Sequence, residues 1–573
     1  MGIYLNSSMP CSLYLSETKN PYFVDKTMIL EDLFPLVERG KQYVCITRPR
    51  RFGKTVMANM IGAFFGKGAD SPVFDGLNIS KRSGYRQYMN AYNVIYVDFS
   101  KADDECDSYR EYISTIKDIL REDLREAFPN VRYRAKGNVA EDLLRITEET
   151  GQKFIFVFDE WDYIFHRDYA AEKDKKSYLS FLSMLLKDQP YVELAYMTGI
   201  LPIANHTTYG TLESEDSIVD ASGESLQAVF PADASYSSGS ELNMFIEYTM
   251  SAQHKFGDYF GFTESEVNML YQRYLENTEQ PRVTREGLRR WYDGYHTLSG
   301  ERLYNPRSVV AALANNQLAD YWTSSGPYDE IFYYVKNNIA DVRDDIVLMI
   351  AGESVWANVK QYAATATEIR TKDQIMSAMV VYGFLTCEDG KVSIPNQELM
   401  DKFADMVQTE HSLGYVYRLA KESERMLRAT ISGDTATMEE ILELAHNTET
   451  GMTGYNNETE LSAIVRLVYL AARERYDIQR EDKAGIGYVD YIFYPVVDTS
   501  SDCIILELKV DHSAGEAIKQ IKDRNYMQRF TGKLGEKPKY TGRILAVGIA
   551  YFKNDTGKRH ECKIEVLREK LTH

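Results

Sequence analysis

The sequence predicts an α/β protein in three parts: a parallel sheet with helices, then a helical region that ends in a β-hairpin, then a small α/β domain. Short apolar runs alternate with amphipathic stretches before residue 250, helical periodicity dominates the middle, and strand patterns return near the C-terminus. The 573 residues suffice for three or four domains. We place the boundaries at 1–250, 251–410 and 411–573, the last beginning with a helical linker.

The composition is that of a globular chain, with 44% hydrophobic and 26% charged residues. Acidic residues outnumber basic ones, 85 to 66, so the surface as a whole does not attract nucleic acid. Six scattered cysteines without a CxxC pair argue against a zinc ribbon and predict free thiols. Neither a secretory signal nor a run of 18 apolar residues is visible, so we expect a cytoplasmic protein without a membrane span. A homo-oligomer is one option for its assembly.

The first part contains four apolar runs with the length of buried strands. They cover residues 43–47, 94–99, 154–158 and 192–197. Apolar residues at helical spacing between Val56 and Phe65 predict a helix after the first run. Strands that alternate with helices favour a parallel sheet with right-handed crossovers. Residues 206–240 are rich in Ser, Thr, Gly and acids and lack Lys and Arg, which predicts a long exposed loop.

Helical patterns dominate the second part, and its end reads as a β-hairpin. Residues 384–387 and 392–395 have strand character and flank the turn Glu388-Asp389-Gly390. Helices followed by such a hairpin are typical of a winged-helix unit. Helices continue to about residue 480, and residues 488–497, 503–510 and 543–552 then predict the strands of the last domain.

Residues 47–55, Thr-Arg-Pro-Arg-Arg-Phe-Gly-Lys-Thr, join a predicted strand to a predicted helix, as a phosphate-binding loop does. Lys54 would reach the β- and γ-phosphates of ATP, and the Thr55 hydroxyl would coordinate Mg²⁺. The first glycine of GxxxxGK[ST] is absent, because Arg48 stands there. The alternative is a Lys-Thr pair at an ordinary helix start. The remaining predicted nucleotide-binding residues of the loop are Arg50, Arg51, Phe52 and Gly53; Arg48, Arg50 and Arg51 are also candidates to stabilise transition-state charge.

A second half of this site is predicted where the apolar run 154–158 ends in two acids. Ligands bind at the carboxyl ends of parallel strands, so Asp159 would hold Mg²⁺ and Glu160 would polarise the attacking water. Asp162 on the same turn competes with Glu160 for that role. Thr198, at the end of a later strand, could lie between the carboxylates and the γ-phosphate. The alternative is an exposed acidic turn.

Several segments resemble the bacterial AAA-ATPase-like family, whose phosphate loop reads R-P-R-R-F-G-K-[ST], so the missing glycine is its normal form. The resemblance implies an ATP-binding P-loop NTPase domain followed by a helical and winged-helix part. The matching segments are Tyr22-Phe23-Val24-Asp25-Lys26, residues 47–55, Asp159-Glu160-x-Asp162, Thr198-Gly199-Ile200-Leu201-Pro202, Trp291-Tyr292-Asp293-Gly294-Tyr295, Tyr304-Asn305-Pro306-x-Ser308 and Ile394-Pro395-Asn396-x-Glu398.

The last domain carries two acids and a lysine among apolar neighbours. Glu507 and Lys509 are two residues apart on a predicted strand, so both face the same side. Asp490 lies on the preceding strand-like run, and with Glu507 it could hold Mg²⁺ through hard oxygen ligands. Lys509 could then orient a water for attack on a phosphodiester. The alternative is a satisfied Glu–Lys ion pair in an inert domain.

This pattern resembles the PD-(D/E)xK nuclease superfamily, whose core reads D…ExK followed by a helix that carries glutamine. The resemblance implies a catalytic role for Gln520 and makes Glu458 the N-terminal acid and a metal ligand, with Glu460 as runner-up. Glu481 would support the metal. Tyr488 stands where the family often has arginine, a departure that removes a phosphate contact.

We therefore expect an ATP-binding and ATP-hydrolysing protein with a Mg²⁺-dependent nuclease-like domain that acts on DNA or RNA. From residue 501 onwards, 15 basic residues face 10 acidic ones, which mildly favours nucleic acid as the partner of this domain. The alternative is a nucleotide-switched signalling or scaffold protein whose nuclease fold is inert.

Overall fold

The computed structural model divides the chain into two compact units. One comprises Met1–Gly326 and Trp356–Glu398, and the other comprises Pro327–Val355 and Leu399–His573. The three-part division predicted above stays a prediction. The structure describes residues 2–40, 42–68, 72–102, 106–203, 235–236, 242–250, 255–297, 300–322, 342–359, 371–413, 415–444, 458–484, 487–496, 498–530, 539–553 and 559–571.

A parallel sheet organises the first unit, and the predicted fold class is confirmed. Five parallel strands lie in the order β2-β3-β4-β1-β6, and the short β5 pairs antiparallel with β6. The strands are β1 (Gln42–Thr47), β2 (Asn93–Asp98), β3 (Phe154–Asp159), β4 (Val192–Gly199), β5 (Ser235–Tyr236) and β6 (Ile246–Thr249). Most of the predicted loop at 206–240 lies outside the described residues.

The central strands are apolar because helices cover both faces of the sheet. Every residue of β3 is buried. Its residues alternate between two hydrophobic clusters, one on each face of the sheet. Phe154, Phe156 and Phe158 belong to one cluster, and Ile155 and Val157 belong to the other. Such two-sided burial gives a parallel strand a continuous apolar sequence rather than an alternating one.

Helices of the first unit precede, connect and follow these strands. They are α1 (Met9–Thr18), α2 (Ile29–Arg39), α3 (Lys54–Phe65), α4 (Tyr85–Tyr88), α5 (Tyr109–Ala127), α6 (Val139–Thr150), α7 (Glu172–Leu186), α8 (Glu264–Asn277), α9 (Arg285–Tyr292), α10 (Pro306–Asn315) and α12 (Lys372–Tyr382). Helix α13 (Gln397–Thr409) begins in the first unit and continues into the second.

The predicted hairpin is present in the helical part of the first unit. Its strands β10 (Thr386–Glu388) and β11 (Lys391–Ser393) pair antiparallel around Asp389 and Gly390, whose positive φ angles of 48° and 76° fit a tight two-residue turn. The other short strands are β7 (Tyr295–His296), β8 (Arg302–Leu303) and β9 (Val355–Trp356). The winged-helix interpretation stays a prediction.

Three of the motifs singled out in the sequence meet in this helical part. The Ser308 hydroxyl donates to the Glu398 carboxylate, at 3.0 and 2.9 Å from its two oxygens, and the backbone N–H groups of Tyr321 and Trp322 donate to the same carboxylate at 2.6 and 2.8 Å. Gly294 lies so close to the Pro395 carbonyl that a Cβ would come within 2.0 Å of its oxygen. These motifs therefore serve packing, and they fix helix α10.

A mixed five-stranded sheet forms the core of the second unit. Its order is β12-β13-β14-β15-β16, with β14 and β15 parallel and the other pairs antiparallel. The strands are β12 (Tyr476–Ala484), β13 (Gly487–Pro495), β14 (Cys503–Val510), β15 (Ile544–Tyr551) and β16 (His560–Arg568). The helices are α11 (Val342–Ile350), α14 (Tyr415–Lys421), α15 (Ser423–Ser432), α16 (Thr435–Glu443), α17 (Glu458–Val468) and α18 (Ala514–Asp523).

The expectation that helices continue to residue 480 is wrong at its end, because β12 begins at Tyr476. Its strand conformation comes from pairing with β13 rather than from its own polar sequence. The six cysteines are free thiols, as expected, and three of them are buried. Within the described part of the chain, no helix is both long and apolar enough to cross a membrane.

Candidate functional site

The phosphate-binding loop connects the end of β1 to the start of α3. Gly53 adopts a left-handed conformation with φ of 87° immediately before the helix begins at Lys54. The Lys54 ammonium is buried and donates to the backbone oxygens of Arg48 and Pro49, both at 2.9 Å. Burial lowers the pKa of Lys54, and the nearby carboxylates of Glu160, Asp162 and Asp159 oppose that shift. A phosphate that entered the loop would offer this cation a stronger acceptor than two neutral carbonyls.

Arg48 does not point into the loop, and its candidacy for transition-state stabilisation is therefore wrong. Its guanidinium is 1% exposed and donates to the backbone oxygens of Thr47 and Tyr248, both at 2.8 Å. The same group lies 5.1 Å above the Phe260 ring. Burial lowers its pKa to about 10. Arg48, which stands where the usual first glycine would be, thus links the end of β1 to β6 through hydrogen bonds.

Asp159 ends β3 and interacts with the residues expected to help it. The Thr198 hydroxyl donates to its Oδ1 atom, and the Thr55 hydroxyl also hydrogen-bonds its carboxylate. Burial raises the pKa of Asp159 to about 6, and the neighbouring Asp98 adds to the shift while the two threonine hydroxyls oppose it. Thr198 is fully buried against Asp159 and does not line the cavity, so it could influence nucleotide only through that carboxylate.

Glu160 and Asp162 have different environments, although the sequence left their roles open. Glu160 lines the cavity and has a positive φ of 51°, a strained conformation for a non-glycine residue. Asp162 accepts the backbone N–H groups of Ile200 and Leu201 at 2.9 and 2.7 Å, which fixes the chain after β4. Burial raises the pKa of Glu160, and Lys54 opposes the shift. The geometry favours Glu160 as the base and Asp162 as a structural anchor.

The loop opens into a cavity of about 910 Å³, within the range of pockets that hold small molecules. Helix α10 supplies part of its wall, including Arg307 and Val310. The predicted site residues that line it are Arg50, Arg51, Phe52, Gly53, Lys54, Thr55 and Glu160. Phe52 is nonetheless buried and packs edge-on against Tyr295, with ring centroids 4.9 Å apart.

The donor set next to this cavity fits Mg²⁺. The Oδ2 atom of Asp159 is buried, and no described residue donates a hydrogen bond to it. The Thr55 hydroxyl lies beside the same carboxylate. A carboxylate oxygen and a threonine hydroxyl are hard ligands of the kind that Mg²⁺ prefers when it bridges to phosphates.

A further buried acid in the same sheet, Glu247, was missed by the sequence analysis. It lies on β6, is 2% exposed, and accepts the Ile203 N–H at 3.0 Å. Burial raises its pKa to about 8, which the Ile203 hydrogen bond only partly opposes.

We expect Glu247→Gln to stabilise the protein at pH 9 but not at pH 5. The pKa of Glu247 is about 8 in the folded state and about 4.5 in the unfolded state. Between pH 4.5 and pH 8 the folded state therefore binds more protons, and the free energy of unfolding falls as pH rises through this interval. The glutamine oxygen can still accept the Ile203 N–H without a charge, so the gain above pH 8 could reach about 5 kcal/mol. Urea unfolding at both pH values measures it. Equal differences at pH 5 and pH 9 would contradict the assignment, and the exposed Glu122→Gln serves as control.

In the second unit, Asp490 and Glu507 lie on the same face of the sheet. Tyr491 pairs with Leu506, and continuing this antiparallel register by one residue places Asp490 opposite Glu507. The Leu508 N–H donates to Asp490 Oδ2 at 2.7 Å, so the Asp490 carboxylate reaches across to β14. The two predicted acids are therefore neighbours.

Lys509 and Gln520 also reach Glu507. The Lys509 ammonium lies 3.4 Å from Glu507 Oε1, and the Gln520 amide donates to the same oxygen. Gly548 makes room for this arrangement, because a Cβ on it would lie 2.4 Å from the Ala514 backbone oxygen at the start of α18. Helix α18 can thus approach the strand beside Glu507 closely enough for Gln520 to make contact.

The Glu507 carboxyl has the features of a metal ligand. It is 3% exposed, and its Oε2 atom receives no hydrogen bond from any described residue. Burial and the nearby Asp490 raise its pKa to about 7, while Lys509 opposes the shift. A buried carboxylate such as Glu507 beside a second, partly exposed acid is costly without a cation, and a divalent metal would relieve that cost.

The other predicted residues of this site are placed only in part. Glu458 and Glu460 lie at the start of α17, Glu481 on β12 and Tyr488 on β13. Their side chains lie outside what the structure describes. Among the described residues, no three His, Cys, Asp or Glu side chains converge as a metal cluster. The Asp490–Glu507 pair thus offers two candidate ligands, and the third acid of the predicted site stays a prediction.

Asp98 is a second acid that the sequence analysis missed. It ends β2 and pairs in register with Asp159. Its carboxylate is bonded by Lys101 at 2.9 Å and by the Ser100 hydroxyl at 2.6 Å, and it helps to raise the pKa of both Asp159 and Glu160. An apolar run that ends in an acid was the available signal, the same signal that identified Asp159.

The first unit thus contains a P-loop-type parallel sheet, and the second contains a small mixed sheet with an acid–lysine cluster. The comparison with protein families gives the same result. Residues 16–208 match the family described as predicted AAA-ATPase, and residues 457–559 match the PD-(D/E)XK nuclease superfamily. Both resemblances stated from the sequence are confirmed over these residues.

No curated protein shows significant sequence similarity to the chain. Among solved structures, the Walker-type ATPase PABY2304 of Pyrococcus abyssi aligns with 13% identity over 66% of this chain and 94% of that one. The TM-score of this alignment is 0.32.

Proposed function

We propose that the N-terminal domain binds ATP and hydrolyses it with Mg²⁺. The observation that carries this proposal is the convergence of Lys54, Thr55 and Glu160 on one cavity, with Asp159 directly behind Thr55. Lys54 and the N-terminus of α3 bind the phosphates, and Thr55 and Asp159 hold the metal. Mg²⁺ supplies charge neutralisation on the phosphate oxygens. Glu160 orients a water and accepts its proton.

Lys54→Ala should sharply weaken nucleotide binding. The substitution removes the cation for the β- and γ-phosphates, and the loop loses the ammonium that now bonds Arg48 and Pro49. Titration with a fluorescent ATP analogue measures the affinity, and we expect a loss of about tenfold or more. The control is Lys67→Ala, which removes a lysine two residues beyond the other end of the same helix. Equal affinity in both variants would reject the phosphate-site assignment.

We further propose that the C-terminal domain cleaves DNA or RNA phosphodiesters with a divalent metal. Asp490 and Glu507 hold the metal, which supplies Lewis-acid stabilisation of the developing charge. Lys509, fixed beside Glu507, positions the attacking water, and Gln520 holds the carboxylate in place. In this proposal ATP turnover regulates cleavage, and nucleic acid is the partner of the domain. A cytoplasmic location and a homo-oligomer stay predictions.

The alternative is that the nuclease fold is inert and the protein is a nucleotide-switched scaffold. Direct contact between Lys509 and Glu507 would then be a plain ion pair. Divalent-metal binding separates the two, because an inert pair gives the domain no reason to take up metal. Mn²⁺ titration of the nucleotide-free chain is the test, since the ATP site needs phosphates to complete its metal coordination.

A further inference from the structure

Arg524 is an exposed cation next to the Asp490–Glu507 pair and has no role in the chemistry proposed above. It caps the C-terminal end of α18, four residues after Gln520. Residues four apart lie on the same helix face, so Arg524 follows the face whose Gln520 amide reaches Glu507. The Arg524 charge interacts with both Glu507 and Asp490.

The guanidinium of Arg524 is held in place without being neutralised. One of its nitrogens, Nη1, donates to the Tyr526 hydroxyl at 3.1 Å. Tyr526 itself is fully buried, in a cluster with Ile518 and Ile521 of α18. No carboxylate of the described residues forms an ion pair with Arg524. A buried phenol therefore orients this cation, and most of its five N–H donors stay available.

Among the described residues, Lys509, the other cation at this site, forms an ion pair with a carboxylate, unlike Arg524. Its ammonium lies 3.4 Å from Glu507 and is 17% exposed. Its charge is therefore largely committed to that carboxylate. A phosphodiester that approaches two acids needs an additional positive charge at the rim of the site, and the planar guanidinium of arginine matches phosphate oxygens in two-point contacts.

We propose that Arg524 binds a backbone phosphate of the nucleic-acid substrate beside the Asp490–Glu507 site, with Tyr526 holding the guanidinium in the binding orientation. This inference rests on the proposed nuclease function. It assigns Arg524 to substrate binding, and it makes Tyr526 a positioning residue.

The test compares Arg524→Ala with Lys519→Ala in the full chain. Lys519 is an exposed lysine of the same helix, five residues before Arg524 and off its face, so its loss removes the same charge from a different place. The probe is a labelled oligonucleotide of DNA or RNA, with Ca²⁺ replacing Mg²⁺ for binding and Mg²⁺ for cleavage. Affinity is measured at several salt concentrations.

We expect Arg524→Ala to weaken oligonucleotide binding about tenfold and to reduce the slope of log affinity against log salt by about one, because one phosphate contact is lost. Arg524→Lys should recover part of the affinity, and Tyr526→Phe should weaken binding without changing the salt slope. Mn²⁺ affinity should not fall in any of them, because Arg524 repels rather than binds the metal. Lys519→Ala should have a much smaller effect.

Equal affinity and salt slope in Arg524→Ala and Lys519→Ala, in a chain that still cleaves, would overturn the inference and leave the nuclease proposal standing. A wild-type chain that neither binds nor cleaves would overturn both. A fall in Mn²⁺ affinity in Arg524→Ala would also contradict the inference, because the residue would then act on the metal site rather than on the substrate.

Discussion

Replacing Glu160 by glutamine is expected to leave ATP bound and to reduce its hydrolysis by about 10²- to 10⁴-fold. The amide keeps the size and hydrogen-bonding reach of the side chain but cannot accept a proton. Lys54 and Thr55 are untouched, so nucleotide affinity should change little. Release of phosphate under saturating ATP and Mg²⁺, together with equilibrium binding of ATP, measures the two quantities separately.

Asp162→Asn is the matched control, because it makes the same chemical change two residues away. The N–H groups of Ile200 and Leu201 both donate to Asp162 Oδ2, and the uncharged amide oxygen of asparagine can replace that atom only with weaker hydrogen bonds. We therefore expect lower thermal stability with hydrolysis reduced only in proportion to the folded fraction. Abolished turnover in Asp162→Asn with normal turnover in Glu160→Gln would reverse the assignment of the base.

Glu507→Ala is expected to abolish both metal binding and cleavage in the C-terminal domain. The substitution removes one of the two neighbouring carboxylates. Loss of a residue that only hydrogen-bonds to a metal ligand lowers metal affinity roughly 10- to 100-fold, so loss of a direct ligand should lower it at least as much. Metal that binds only the folded state raises the melting temperature by mass action, and this rise should disappear. The experiment belongs at pH 8.5, because a pKa of about 7 leaves the wild-type carboxyl partly protonated at lower pH.

Lys509→Ala separates metal binding from chemistry. The lysine contacts Glu507 Oε1 but leaves Oε2 free, so the metal should still bind. Cleavage should fall by about 10²-fold or more, because the water loses the group that positions it. Lys519→Ala, on the exposed side of α18, should cleave normally. Metal affinity that falls equally in Glu507→Ala and Lys509→Ala would contradict this division of roles.

The parts of the fold that follow from local pattern were predictable. β3 was predicted to within one residue, because burial on both faces requires a continuous apolar run. The hairpin at Asp389-Gly390 was predictable because its turn needs residues that tolerate positive φ. Asp490 and Glu507 were assigned to strands that prove to be adjacent, although spacing alone does not fix which strands pair.

The parts that depend on distant contacts were not predictable. Arg48 was taken for a loop cation, because its partner Tyr248 lies 200 residues away on β6. The choice between Glu160 and Asp162 as the base stayed open in the sequence. The groups that bind Asp162, the backbone N–H groups of Ile200 and Leu201, lie 38 and 39 residues further along the chain. The first residues of β12, from Tyr476 to about residue 480, were interpreted as helix, since this polar sequence becomes a strand only beside β13.

Cleavage of labelled single- and double-stranded DNA and RNA by the 573-residue chain, with Mg²⁺ and with or without ATP, tests the central claim most directly. We predict Mg²⁺-dependent cleavage of at least one of these substrates, a rate that changes when ATP is hydrolysed, and no cleavage by Glu507→Ala. Hydrolysis of ATP without cleavage of any substrate, and without uptake of divalent metal by the nucleotide-free chain, would contradict it and support the scaffold alternative.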